Sequence, residues 1–149
     1  MKIAIGSDHA GLALKNEIIT VLKELNITWE DFGTNSDESV DYPDFGEKVA
    51  GLVSDGKIEK GILICGTGIG MSIVANKFPN VRAALCCETY SAKMSRLHND
   101  ANLLVLPGRT IDGKTAAEIV KEWLRTPFEG GRHQRRLDKI KAIESRLCK

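Results

Sequence analysis

The sequence predicts a three-layer α/β/α fold, a five-stranded parallel Rossmann-like sheet with a C-terminal extension helix. Three observations carry this. Five short apolar runs alternate with helical patterns, an order that requires right-handed crossovers and a sheet covered on both faces. The run Gly61-Ile62-Leu63-Ile64-Cys65 is apolar throughout, as a strand buried on both faces must be. The length of 149 residues suits one compact domain, 1–149. A chain of ~150 residues buries roughly 68–70% of its unfolded surface and needs no staples.

The elements follow in order. Ile3-Ala4-Ile5 is a short strand ending at Gly6-Ser7. Leu14, Ile18, Val21, Leu22 and Leu25 recur at helical spacing and define an amphipathic helix from Ala10 to Leu25. Ile27 to Phe32 reads as a second strand. Tyr42-Pro43 opens a helix carrying Val49, Leu52 and Val53, and Gly56 suits its stop. After the Gly61–Cys65 strand come the turn Gly66 to Gly70 and a helix through Met71, Val74 and Ala75. Val81 to Cys86 is the fourth strand, Thr89 to Leu97 a helix, and Leu103 to Leu106 the fifth strand, stopped by Pro107-Gly108. Asp112 caps a helix with Ala116, Ile119, Val120, Trp123 and Leu124 on one side. The break at Gly130-Gly131 precedes a basic helix with Leu137, Ile140, Ile143 and Leu147 on one stripe.

Composition excludes several classes. Hydrophobic residues make up 42% and charged residues 28%, which argues against disorder. No apolar run approaches the ~20 residues of a membrane span. Asp8 and His9 arrive before a signal-peptide stretch could develop, so a cytoplasmic protein is expected. From Gly130 to Lys149 there are 7 Lys and Arg against 2 Asp and Glu, while the remainder carries 14 against 18. This basic tail has no aromatic interleaving, so a solvated face or arginines aimed at a small anion is expected, and no nucleic acid. The four cysteines contain no Cys-x-x-Cys pair. Cys86, Cys87 and Cys148 read as reduced thiols, two or three of the four cysteines being packed as small hydrophobes.

In a fold of this class, ligands bind outside the carboxyl ends of the strands. Those places read Ser7-Asp8-His9, Cys65 to Gly70, Cys87-Glu88-Thr89 and Pro107-Gly108-Arg109. Gly66-Thr67-Gly68-Ile69-Gly70 joins a buried strand to a helix, a cradle of N–H groups for a phosphate or an oxyanion. It is neither Gly-x-Gly-x-x-Gly nor a nucleotide P-loop. The plain alternative is a tight turn that uses glycine for backbone angles alone. Cys65 beside it is a nucleophile, a general base or a buried strand cysteine. Asp8, His9, His98 and Asn99 sit at element ends, where polar side chains reach ligands. Arg132 and Arg136 lie four apart, so one helix face can present both to a phosphate; otherwise they are solvated tail charge. Three scattered histidines and no paired acidic cluster predict no metal.

Together, Gly6-Ser7-Asp8-His9-Ala10-Gly11, Cys65-Gly66-Thr67-Gly68-Ile69-Gly70, His98-Asn99, Pro107-Gly108-Arg109 and Arg132-His133-Gln134-x-Arg136 resemble the ribose-5-phosphate isomerase B family, which includes galactose-6-phosphate isomerase subunits. The match runs in order over the whole chain. The resemblance implies aldose–ketose isomerisation of ribose 5-phosphate and ribulose 5-phosphate, in pentose phosphate metabolism, through a cis-enediolate. By the same resemblance Cys65 is the base, His98 the ring-opening acid and Asp8 its helper near the ring oxygen. Gly66, Thr67, Gly68, Ile69 and Gly70 form the anion hole, with the Thr67 hydroxyl as an added donor. His9, Arg109, Arg132 and Arg136 hold the phosphate, and Asn99 contacts the sugar. Some relatives place a glutamate just after the third glycine; here that position is Met71, which leaves Cys65 as the base. The resemblance also implies strand order 2-1-3-5-4, which periodicity leaves open.

The reaction moves a proton within one substrate, so no cofactor is expected. Two alternatives remain: isomerisation of a six-carbon sugar phosphate (allose or galactose 6-phosphate), and a non-catalytic phosphate-sensing module. Hydrolysis with Cys65 paired to His9 is a weaker third. The expected partners are a small sugar phosphate and a second copy of the chain, in a homodimer or a dimer of dimers, with no membrane. His98 lies nine residues beyond Thr89, roughly 13 Å along a helix running away from Cys65. A site using both is then built from two chains, which also gives the last helix's apolar stripe something to cover.

Overall fold

The computed structural model describes residues 1–147. Strands β1 (Lys2–Ser7), β2 (Thr28–Asp31), β3 (Lys60–Cys65), β4 (Ala83–Leu85) and β5 (Leu103–Pro107) form one parallel sheet in the order β2-β1-β3-β5-β4. The helices are α1 (Leu12–Glu24), α2 (Tyr42–Ser54), α3 (Ile69–Ala75), α4 (Thr89–Leu97), α5 (Gly113–Arg125) and α6 (Arg132–Arg146). No helix among the described residues is long and apolar enough to cross a membrane.

The two-residue period of the strands divides the core in two. Ile3, Ile5, Ile62, Ile64, Leu104 and Leu106 meet α1, α4 and α5 on one face. Ala4, Leu63, Cys65, Leu103 and Val105 meet α2 and α3 on the other. β3 is buried along its whole length, as its unbroken apolar run requires.

Some boundaries shift for local reasons. The first helix is entered through a 3-10 turn at His9–Gly11, capped by Asp8. β4 is half the expected length, because the Arg82 N–H donates to the Asn102 side chain (2.8 Å) instead of joining the ladder. Cys86 is buried, and burial raises its thiol to about 11, where it stays protonated. Cys65 is buried as well, while Cys87 is exposed because it follows the end of the edge strand. Cys148 lies outside the described residues. The stripe of α6 is only partly covered: Ile140, Ile143 and Leu147 are exposed beside Val81, Ala83 and Ala84.

Candidate active site

The carboxyl ends of β1 and β3 hold the first group of side chains. Asp8 Oδ1 accepts the Gly11 N–H at 3.0 Å, closing the 3-10 turn, and the Asp8 N–H reaches Ile64 O at 3.3 Å. The turn lies so close to β3 that a Cβ on Gly11 would stand 2.6 Å from Ile64 O. Asp8 is thereby fixed beside the strand end that carries Cys65. The Cys65 side chain is 4% exposed and faces the α2–α3 layer. His9 Nδ1 accepts the Val40 N–H at 3.1 Å. In the neutral ring the proton therefore sits on Nε2, which is left as a donor.

The cradle after Cys65 is shaped by backbone. Gly68 has φ +76°, and a Cβ there would lie 2.4 Å from Leu85 Cδ1. Thr67 Oγ1 accepts the Ile69 N–H at 3.2 Å, which keeps its own hydroxyl proton free to donate outward. The next N–H groups, of Gly70 and Met71, begin a helix and have no intrahelical acceptor. α3 has only seven residues, so these local donors matter more than a macrodipole. Backbone bonds from Gly108 N–H to Cys65 O (2.8 Å) and from Arg109 N–H to Gly66 O (3.0 Å) bring the Arg109 side chain over Gly66.

Sequence reasoning missed Tyr42, whose ring would meet a Cβ on Gly70 at 2.5 Å, and Lys15. Lys15 Nζ is fully buried and donates to Asp31 (2.7 and 2.8 Å), Thr34 O (2.6 Å) and Asn35 (3.0 Å). It pins the β2–α2 connection that delivers Val40 to His9. A lysine on the apolar stripe of α1, one residue after Leu14, was the available signal.

The second group stands at the other end of the sheet. The Gly61 N–H donates to Asn102 O at 3.0 Å, while Cys65 pairs with Pro107, so the α4–β5 connection lies at the amino ends of the strands. His98 is the C-cap of α4 and Asn99 follows it, exposed. Gly61 to Cys65 alone spans about 13 Å at ~3.3 Å per residue. The His98 ring stacks on His133, with centroids 4.1 Å apart and planes 15° from parallel. Exposed Arg132 and Arg136 flank His133 on α6. Burial first, then His98, Arg132 and Arg136, hold the His133 imidazole below its ordinary protonation range, against Glu129.

Two histidines scattered in sequence therefore meet. With Glu129 they offer ligand atoms within 4.8 Å of one another. The in-plane lone pairs of two rings 15° from parallel do not converge at that range, so sharing an ion would require one ring to rotate.

Residues 3–140 match the model of the Ribose/Galactose Isomerase family. Ribose-5-phosphate isomerase B of Escherichia coli K12 is 50% identical over 145 residues, 97% of each chain. The solved structure of Clostridium thermocellum ribose-5-phosphate isomerase B is similar at TM-score 0.96 and 54% identity, covering 99% of both chains. A ribose 5-phosphate isomerase from Thermotoga maritima is similar at TM-score 0.92 and 51% identity, covering 95% of this chain and 97% of that one.

Proposed function

The chain belongs to the ribose/galactose isomerase family, and we propose that it interconverts ribose 5-phosphate and ribulose 5-phosphate. The observation that carries this reading is the thiol of Cys65, held at a strand end beside a glycine cradle, with Asp8 fixed against the neighbouring Ile64 and Arg109 lying over Gly66. That inventory suits a proton transfer between adjacent carbons. His98 protonates the furanose ring oxygen as Asp8 orients the sugar, and the ring opens. The Cys65 thiolate removes the C2 proton of the aldose. The C1 oxygen gains negative charge and is met by the N–H groups of Gly66 to Gly70 and the Thr67 hydroxyl. A proton passes from the C2 hydroxyl to the C1 oxygen, the Cys65 thiol returns its proton at C1, and the C2 carbonyl of the ketose forms. His9 Nε2–H, Arg109, Arg132 and Arg136 grip the phosphate, and Asn99 contacts a sugar hydroxyl. Fixing the unreactive phosphate places C1 and C2 against the thiol. Hydrogen moves within one substrate, so the reaction is redox-neutral and calls for no external reductant.

Cys65 and His98 lie at opposite ends of one sheet, which supports a site assembled from two chains. In this reading the protein is a homodimer, or a dimer of dimers, with the described elements forming one isomerase domain in the cytoplasm. The exposed stripe of α6 then covers its partner.

The test is turnover of ribose 5-phosphate by the purified protein, beside allose and galactose 6-phosphates. Ribose 5-phosphate should be the preferred substrate. Cys65→Ala should lower kcat by about 10²–10⁴ with phosphate binding intact. No turnover of any sugar phosphate, with inorganic phosphate still bound, would favour the sensing module instead.

A further inference from the structure

His98 does not stand alone at its end of the sheet. Its ring lies flat against His133, 4.1 Å between centroids. His133 is 3% exposed, sits in the first turn of α6, and is anchored there by its N–H bond to Gly130 O at 3.1 Å. Its Nε2 makes no hydrogen bond among the described residues. The nearest carboxylate oxygen, Glu129 Oε2, is 3.7 Å away, and the Glu129 backbone is itself tied to Leu97 O at 3.1 Å. The residue before His98 thus fixes the loop that leads into the His133 turn.

We propose that His133 is a positioning residue for the acid step: a buried imidazole that carries the ring of His98 on its face and fixes the direction of that ring. This rests on the reading of His98 as the ring-opening acid. Two imidazolium rings face to face at this separation repel each other strongly wherever water is partly excluded. The groups facing His133 are His98 from the end of α4, Arg132 and Arg136 from α6, and Glu129 from the loop before α6. Burial and two arginines oppose a charge on His133, and one partly exposed carboxylate favours it. His98 is only half-buried and stands at the C-terminus of α4, where a cation is favoured. The stacked face removes rotational freedom from a side chain that must deliver its proton along one direction.

The chain has three histidines, so each ring can be followed by ¹⁵N NMR in the intact protein. The resonances of His98 and His9 are assigned from their loss in His98→Asn and His9→Asn. His133 should gain its proton only below the ordinary imidazole range; protonation of His133 at or above that range would overturn its burial against the His98 ring. His133→Ala removes the shelf, and His133→Phe keeps a flat ring without titrating nitrogens. His133→Ala should lose about tenfold or more in kcat with KM within about threefold, a share of the ~10²–10⁴ a general acid contributes. His133→Phe should recover kcat to within about threefold of wild type. Equal losses in the two variants, or a His133→Ala kcat near wild type, would overturn the positioning role. An active His98→Asn would instead remove the acid reading itself, whatever His133 does.

Discussion

Replacing Gly68 with alanine should weaken the fold and spoil the cradle together. Gly68 has φ +76° and ψ −15°, a left-handed conformation that costs an L-residue about 1–2 kcal/mol. Its new Cβ would lie 2.4 Å from Leu85 Cδ1 and 3.3 Å from Val105 Cγ1. Leu85 is on the edge strand and can turn aside, but Val105 is fully buried, so overpacking adds about 1–3 kcal/mol. The sum is about 2–5 kcal/mol. Relief of the clash also moves the Gly66–Gly70 donors, and losing one such donor costs ~10²–10³ in kcat. Gly51→Ala is the matched control. It lies inside α2, its nearest neighbour for a Cβ is Phe78 Cε1 at 3.9 Å, and alanine there should stabilise by about 0.5–1 kcal/mol. Urea denaturation midpoints of both variants, with kcat on ribose 5-phosphate, provide the assay. A Gly68→Ala protein as stable and as active as wild type would refute the cradle geometry.

Three further outcomes are expected. Lys15→Met should cost about 3 kcal/mol in chemical denaturation, the low end for a broken buried pair because Asp31 keeps some solvent contact; a change below about 1 kcal/mol would mean that Lys15 does not hold the β2–α2 connection. Unfolded His133 titrates near ~6.5 while the folded ring is held neutral by burial, so its contribution is full above that pH and is lost as pH falls toward the lowered folded value. Melting temperatures recorded between about pH 7 and 5 should therefore decline less steeply in His133→Phe than in wild type, and identical slopes would contradict this. Removing Arg132 or Arg136 should weaken ribose 5-phosphate and inorganic phosphate alike in calorimetric titration, whereas unchanged phosphate affinity in both variants would return the pair to solvated tail charge.

The alternation of apolar runs with helical patterns foretold all five strands and the long helices, because burial on two faces leaves a direct mark on sequence. Thr89–Leu97 matched its expected bounds, since Glu88 caps it and the chain turns at His98. β4 was overestimated because Val81 and Arg82 look like strand but lie where side-chain bonds replace the ladder. Strand order left no trace in periodicity: placing β5 between β3 and β4 depends on crossover geometry, and only the family resemblance suggested it. The Asp8–His9 and Cys65–Gly70 segments were legible as strand ends, because the apolar runs of β1 and β3 stop there. His133 was hidden in a basic run that reads as solvated charge. The stripe Leu137, Ile140 extended back by one turn lands on it, and that spacing was the signal for its burial. Contacts between elements distant in sequence, such as His98 on His133 and Val40 on His9, required the fold itself.

One chain's Cys65 is expected to work with another chain's His98. Inactive Cys65→Ala and inactive His98→Asn proteins should be mixed in equal amounts under conditions that allow subunit exchange, with hybrid formation followed by native mass spectrometry. Random exchange makes half the dimers hybrid, and each hybrid holds one site with both residues intact. Roughly a quarter of wild-type activity on ribose 5-phosphate should therefore return. Hybrids confirmed by mass but without activity would place both residues in a site built from a single chain.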